Sequence, residues 1–170
     1  KIGRALVPKA KGFGLEVSAY DPYVADDVFD LVGVARRYEL SDMLEESDYI
    51  SIHAPLTGET HHLFDKGAFT RMKPEAVLVK TARGNIIDQP ALVNALNEGQ
   101  IAGAGIDVLH KEPPDEDEPL LACENALVTP HIAWYSEESF QKNMSLGMDE
   151  VIRVLAGFRP RHLVNPAVFE

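Results

Sequence analysis

Short apolar runs alternate with helical patterns along this chain. Val17-Ser18-Ala19-Tyr20 and Tyr49-Ile50-Ser51-Ile52 each end at a turn signal, Asp21-Pro22 and His53-Ala54-Pro55. Three more runs follow at residues 76–81, 101–108 and 126–129. Their near-continuous apolar character predicts strands covered on both faces, as in a parallel sheet. Helices are predicted in the gaps. The first runs from about Lys1 to Phe13 and ends at Gly14, with Pro8 inside it as a candidate kink. Ser41 is read as the cap of a short helix through Glu46, and Asp65 as the cap of another that stops before Pro74. Asp88 caps a stronger one, with Pro90 in its first turn, Gly99 past its end, and an apolar face of Leu92, Val93 and Leu96. The longest helix is predicted from about Ser136 to Ala156, closed by Gly157. Phe140, Met144, Met148, Val151, Ile152 and Leu155 recur along it at helical spacing, a stripe that reads as core or interface. This order predicts an α/β fold: a doubly wound parallel sheet with helices on both faces. Residues 112–118 (EPPDEDE) read as a solvated, mobile loop.

Composition changes this picture little. At 170 residues, 45% hydrophobic and 25% charged, the chain reads as one ordinary globular domain with a sizeable core. Its net charge of -11 and the lack of a basic stripe argue against direct nucleic-acid binding. No apolar run approaches the ~20 residues of a membrane span. The single Cys123 is read as a small buried residue and points to a reducing, cytoplasmic compartment.

The N-terminus reads as a fold that begins one strand late. Lys1-Ile2-Gly3 matches only the last x-x-G of the G-x-G-x-x-G turn that cradles a dinucleotide pyrophosphate. Asp21 follows Gly3 by 18 residues, near the spacing of the acidic residue that takes the adenosine ribose hydroxyls. A carboxylate there repels a 2′-phosphate, so NAD is expected over NADP. In a doubly wound sheet the first strand is central. The expectation is therefore a fragment of a longer protein, with residues 1–156 as a truncated dinucleotide-binding domain and residues 157–170 as a tail toward an absent substrate domain.

The chemistry concentrates at three residues, Arg83, Glu112 and His131, each just past one of the last three apolar runs. Ligands of open α/β sheets bind outside the carboxyl ends of the strands, so a cation, a carboxylate and an imidazole are expected in one crevice. A guanidinium grips a carboxylate through two parallel bonds and polarises the adjacent carbonyl. An imidazole titrates near working pH and serves as general acid–base. A neighbouring carboxylate stabilises its protonated form. That equipment suits a 2-oxo acid and its 2-hydroxy acid. Adjacent His61 and His62 do not face one way on a helix, and no third ligand is apparent, so no metal site is expected.

The motifs carrying this constellation are Gly3-Arg4-Ala5 with Ala19-Tyr20-Asp21-Pro22-Tyr23, His53-Ala54-Pro55-Leu56-Thr57, and Thr81-Ala82-Arg83-Gly84-Asn85-Ile86-Ile87-Asp88. Gly105-Ile106-Asp107-Val108 with Glu112-Pro113, and Thr129-Pro130-His131-Ile132-Ala133, complete the set. In this order and spacing the chain resembles the D-isomer-specific 2-hydroxyacid dehydrogenases. The extension Trp134-Tyr135-Ser136-Glu137-Glu138 looks most like the branch of C-terminal-binding protein corepressors, with phosphoglycerate dehydrogenase-like proteins close by. The resemblance implies an NAD-binding domain of a homodimeric oxidoreductase acting on a small 2-hydroxy or 2-oxo acid (phosphoglycerate, glyoxylate or hydroxypyruvate). It implies Arg83, Glu112 and His131 as catalytic residues. Ile2, Gly3, Arg4, Asp21, Pro22, His53, Pro55, Thr81 and Ala82 would line the cofactor, Asp107 would hold its carboxamide, and Trp134 and Tyr135 would touch the substrate's distal end. The alternative reading is an NAD(H)-sensing, corepressor-like binding protein on the same fold.

Overall fold

The computed structural model describes residues 1–169. Backbone packing divides the chain into two compact units, Lys1–His131 and Ile132–Glu170. The first contains, in chain order, α1 (Ile2–Gly12), β1 (Ser18–Tyr20), α2 (Asp26–Val32), β2 (Ala35–Arg37), α3 (Leu40–Glu46), β3 (Tyr49–Ile52), α4 (Lys66–Arg71), β4 (Val77–Lys80), α5 (Gln89–Asn97), β5 (Gly103–Ile106) and β6 (Ala126–Val128). The second contains α6 (Glu137–Leu155), so the long helix lies outside the unit that holds the strands.

All strand pairs are parallel, in a two-stranded sheet β1-β2 and a four-stranded sheet β3-β4-β5-β6. Parallel neighbours need crossover connections, and helices supply most of them, giving the doubly wound α/β arrangement. The larger sheet runs in register from Ile52↔Lys80 to Lys80↔Ile106 to Ile106↔Val128. Its four carboxyl ends therefore line one edge, and the segments after them (residues 53–57, 81–84, 107–112 and 129–131) rise from that edge.

Burial explains why these strands were legible. Ile50 and Ile52 on β3, Leu78 on β4, and Ala104 and Ile106 on β5 all join one core with Phe69, Leu92, Leu96 and Leu120. Truncating a side chain as fully buried as Leu78 to Ala costs about 2–5 kcal/mol in such cores. Helix α4 is capped by Asp65, whose carboxylate accepts from the Ala68 N–H at 2.9 Å, and α5 by Asp88. Gly99 just past α5 has φ 66°, a left-handed conformation that Gly adopts without Cβ strain.

Several expectations are corrected. Ser41 is not a cap: α3 begins at Leu40 with Glu39 before it, and the Ser41 hydroxyl donates to Asp42 Oδ1 at 3.4 Å. Helix α1 runs to Gly12 with Pro8 inside it, as expected. The loop at residues 112–118 is solvated only through Asp117. Glu118 is buried, and its carboxylate accepts from the Leu120 N–H to start a single 3-10 turn, Pro119–Ala122. The apolar stripe of α6 is not core within its unit: Phe140, Met144, Met148, Val151, Ile152 and Leu155 are all exposed. Ser136 caps that helix through the Ser139 N–H, and Gly157 follows it in the left-handed region. Cys123 is buried.

Candidate active site

The carboxyl edge of the larger sheet brings Glu112 and His131 into direct contact. Imidazole Nδ1 lies 2.8 Å from Glu112 Oε2, and both side chains are roughly two-fifths exposed. An ionised carboxylate only accepts, so Nδ1 carries the proton in this pair and Nε2 is left as the atom that exchanges one. A half-exposed ion pair adds little to stability, about 0–1 kcal/mol. Its value here is orientation: it fixes the tautomer and the ring plane.

Backbone geometry holds the ring from the other side. His131 has φ 53°, a left-handed conformation uncommon outside Gly and found at over-determined functional positions. Its N–H donates to the carbonyls of Asp107 and Thr129, both at 2.9 Å. Asp107 is itself buried, and its Oδ1 accepts from the Thr129 hydroxyl at 2.6 Å. The end of β5 and the end of β6 are thus joined by side chain and main chain at the point where His131 leaves the sheet. Glu112 is held equally: its Oε1 accepts from the Leu109 N–H at 3.2 Å.

Arg83 stands on the neighbouring turn after β4. It is exposed, donates to the Ala82 carbonyl at 3.1 Å, and pairs with no carboxylate among the described residues. An exposed guanidinium without an internal acid is available to an anion. The turn abuts the Glu112 loop along the backbone at Gly84. A Cβ on Gly84 would sit 2.0 Å from the Leu109 carbonyl oxygen and 2.7 Å from the His110 Cα. No side chain fits there, so only Gly allows the two segments to meet.

The residues expected to line a cofactor lie at the start of α1 and on the loops after β1, β3 and β4. Ile2, Gly3 and Arg4 form the first turn of α1, whose preceding residue Lys1 supplies no side-chain cap, leaving N–H groups free for an anion. Gly3 packs against His53, whose Cδ2 would lie 3.6 Å from an added Cβ. Burial lowers the pKa of His53, and its Nε2 contacts Ser51 Oγ at 2.9 Å. Asp21 follows β1, before Pro22; its Oδ1 accepts from the Tyr23 N–H at 3.0 Å. The Tyr23 hydroxyl in turn donates to Glu59, connecting the loop after β1 to the loop after β3. In that second loop the Pro55 carbonyl accepts from Thr60 Oγ1 at 2.6 Å. Thr81 is exposed after β4, while Ala82 is packed against the core. Trp134 and Tyr135 belong to the second unit. There their rings meet edge to face with centroids 5.6 Å apart, and both are exposed.

Sequence reasoning missed Lys80, the last residue of β4, which is 1% exposed. Its Nζ donates to the Val108 carbonyl at 2.5 Å and to the Gly84 carbonyl at 3.3 Å. Burial pushes its pKa down to about 8, while the charge of Glu112 works the other way. The available signal was its register: Ala76, Leu78 and Lys80 fall on one strand face, and the first two are fully buried.

A parallel sheet with crossover helices, whose carboxyl edge carries an imidazole–carboxylate pair beside an arginine turn, is the architecture of a dinucleotide-binding domain. The chain belongs to the family described as D-isomer specific 2-hydroxyacid dehydrogenase, NAD binding domain, which matches residues 1–133. It is 42% identical over 168 residues to a glyoxylate reductase of Korarchaeum cryptofilum, covering 99% of this chain and 50% of that protein. It is 36% identical over 165 residues to a D-3-phosphoglycerate dehydrogenase of Methanocaldococcus jannaschii, covering 97% and 31%. The chain spans half or less of the length of these curated relatives. Among solved structures, the NAD complex of a D-isomer specific 2-hydroxyacid dehydrogenase from Lactobacillus delbrueckii ssp. bulgaricus superposes with a TM-score of 0.85 at 30% identity, over 96% of this chain and 53% of that one. D-lactate dehydrogenase with NAD+ from Lactobacillus jensenii gives 0.84 at 30% identity, over 96% and 52%.

Proposed function

We propose that the intact protein interconverts a D-2-hydroxy acid and its 2-oxo acid with NAD(H), glyoxylate, hydroxypyruvate and phosphoglycerate being the candidate substrates. The observation that carries this reading is the 2.8 Å contact between His131 Nδ1 and Glu112, made at the carboxyl edge of the parallel sheet. The Arg83 guanidinium takes the substrate carboxylate through two parallel hydrogen bonds and leaves the oxo group beside it. In reduction, the protonated Nε2 of His131 gives its proton to the oxo oxygen. In oxidation, the neutral Nε2 removes the hydroxyl proton. Glu112 holds the imidazolium between these events. When bound, the nicotinamide supplies or accepts the hydride.

The donor set fits NAD. The uncapped start of α1, at Ile2, Gly3 and Arg4, offers N–H groups to the pyrophosphate, and the Asp21 carboxylate accepts from ribose hydroxyls. Pro22, His53, Pro55, Thr81 and Ala82 line the cofactor, and Asp107 takes its carboxamide. Some relatives carry the name glyoxylate reductase, which supports glyoxylate as the first substrate to assay. A cytoplasmic homodimer completes the proposal. The exposed apolar stripe of α6 supports association, and sedimentation of the intact protein reads it.

The test is a steady-state panel of 2-oxo acids with NADH and NADPH on the intact protein. Turnover of at least one acid with NADH is expected, with His131→Gln lowering kcat about 10²–10⁴-fold. Tight NADH binding with no turnover of any acid would replace this reading with the sensor.

A further inference from the structure

Lys80 closes a chain of contacts that runs into the site. Its ammonium donates to the Val108 carbonyl at 2.5 Å. That carbonyl shares its peptide unit with the Leu109 N–H. The same N–H donates to Glu112 Oε1 at 3.2 Å, and Glu112 Oε2 faces His131 Nδ1 at 2.8 Å. Ammonium, peptide, carboxylate and imidazole are therefore connected end to end. Hydrogen bonds in such a chain polarise one another. A cation on the carbonyl makes the N–H beyond it a stronger donor, and draws charge from the carboxylate it meets. The same ammonium reaches the Gly84 carbonyl at 3.3 Å, on the turn that carries Arg83.

We infer that Lys80 is a positioning residue for the reaction: through the Val108–Leu109 peptide it sets the aim and charge of Glu112, and through Glu112 the proton affinity of His131. Its bond to Gly84 pins the Arg83 turn to the same loop. The competing account is an inert buried lysine that merely ties two loops together. The charged or titratable groups on the two segments that Lys80 bonds are Arg83, Asp107, His110, Lys111 and Glu112, with His131 across from Glu112. Asp107 accepts from Thr129, whereas it is the charge of Glu112 that favours the protonated ammonium against its burial. A buried cation with a fixed peptide between it and a general acid–base pair has little freedom to do anything else. The inference rests on the acid–base reading of His131 for its effect on turnover, and not for its effect on the imidazole.

That difference shapes the experiment. In the intact protein the His131 imidazole is titrated by proton–nitrogen NMR, its signals assigned with His131→Gln. Four proteins are compared: wild type, Lys80→Met, Glu112→Gln and the double variant. The pH profile of kcat/KM is recorded beside them. With Glu112 present, Lys80→Met is expected to raise the imidazole midpoint by about 0.5, because a carboxylate stripped of its cation holds the imidazolium more strongly. With Gln at position 112 the same substitution leaves the midpoint unmoved. An unchanged or lower midpoint in Lys80→Met, or an equal shift in both backgrounds, overturns the inference. Should Lys80→Met not fold, Lys80→Gln keeps an N–H for the Val108 carbonyl, lacks the charge, and is read the same way. If no 2-oxo acid is turned over, the proposed activity fails while the titration still decides the role of Lys80.

Discussion

A buried ammonium leaves a signature in the pH dependence of stability, and for Lys80 its sign and size follow from the structure. Burial lowers its pKa from the ordinary 10.5 to about 8 in the folded protein. The unfolded chain therefore binds more protons than the folded one between those values, and stability rises with pH across that window. Equivalently, the contribution is fully present above about pH 10.5 and is lost as pH falls toward 8. The whole shift corresponds to about 3 kcal/mol, and about 2 kcal/mol of it is recovered between about pH 7.5 and about pH 9.5.

Lys80→Met isolates this contribution. Methionine keeps the length of the stem and removes the charge, so its desolvation penalty disappears at every pH. The Val108 carbonyl loses its donor at a cost of about 1–3 kcal/mol. The Gly84 carbonyl keeps the Ile87 N–H at 3.1 Å. The two effects nearly cancel, and near pH 7.5 the variant should lie within about 2 kcal/mol of wild type. Urea unfolding of both proteins, repeated across the pH range, gives the difference in stability at each pH. Titratable groups common to both proteins drop out of the difference. Wild type should gain on the variant steadily as pH rises, by about 2 kcal/mol over two pH units. A difference that stays flat would mean that the ammonium is as well solvated folded as unfolded. The burial argument for Lys80 would then collapse.

Three further outcomes follow from other contacts. Gly84→Ala forces a Cβ to 2.0 Å from backbone oxygen and must push the Arg83 turn off the Glu112 loop, so urea unfolding should show a loss of about 1–3 kcal/mol, with a fall in kcat/KM. Asp21→Ser removes a charged acceptor from the proposed ribose site. The KM for NADH should rise about 10–100-fold while NADPH loses less, which parallel assays with the two cofactors will show. His53 is held below the ordinary histidine pKa by burial, so its contribution is present above about pH 6.5 and lost as pH falls through the lower folded value. His53→Gln should flatten the acid-side decline in the urea midpoint, and an unchanged decline would place its origin elsewhere.

Legibility in the sequence tracked burial. Strands β3, β4 and β5 read clearly because their inward residues are continuous members of one core. The pair α2 and β2 went unread for the opposite reason. Strand β2 is Ala-Arg-Arg, and its polarity hides the way Arg36 is used: the guanidinium lies 4.9 Å from the Phe29 ring and 4.8 Å from the Tyr38 ring and pairs with Asp26. An arginine whose charge is matched locally serves as an apolar stem, and no hydropathy pattern shows that. Caps behaved likewise. Asp65, Asp88 and Ser136 stand directly before helical periodicity and cap it, whereas Ser41 stands inside the first turn, where Leu40 already belongs to the helix.

The site divides along the same line. That Glu112 and His131 follow the ends of adjacent strands is a matter of spacing and topology, and spacing is written in the chain. That they touch depends on main-chain groups, which the one-letter code does not distinguish. Glu112 is held by the N–H of Leu109, His131 by the carbonyls of Asp107 and Thr129, and the Glu112 loop by a lysine amine on the carbonyl of Val108. Any residue but proline brings an N–H, so Leu109 carries no mark of its task. The positive φ of His131 is equally silent, since a histidine in a left-handed turn is spelled like any other. Lys80 alone broke a visible rule, a cation at an inward strand position, and that local inconsistency was the one trace of the network in the sequence. A buried residue that violates its pattern is thus the place to look for the groups that aim a site, because the aiming is done by bonds the pattern cannot spell.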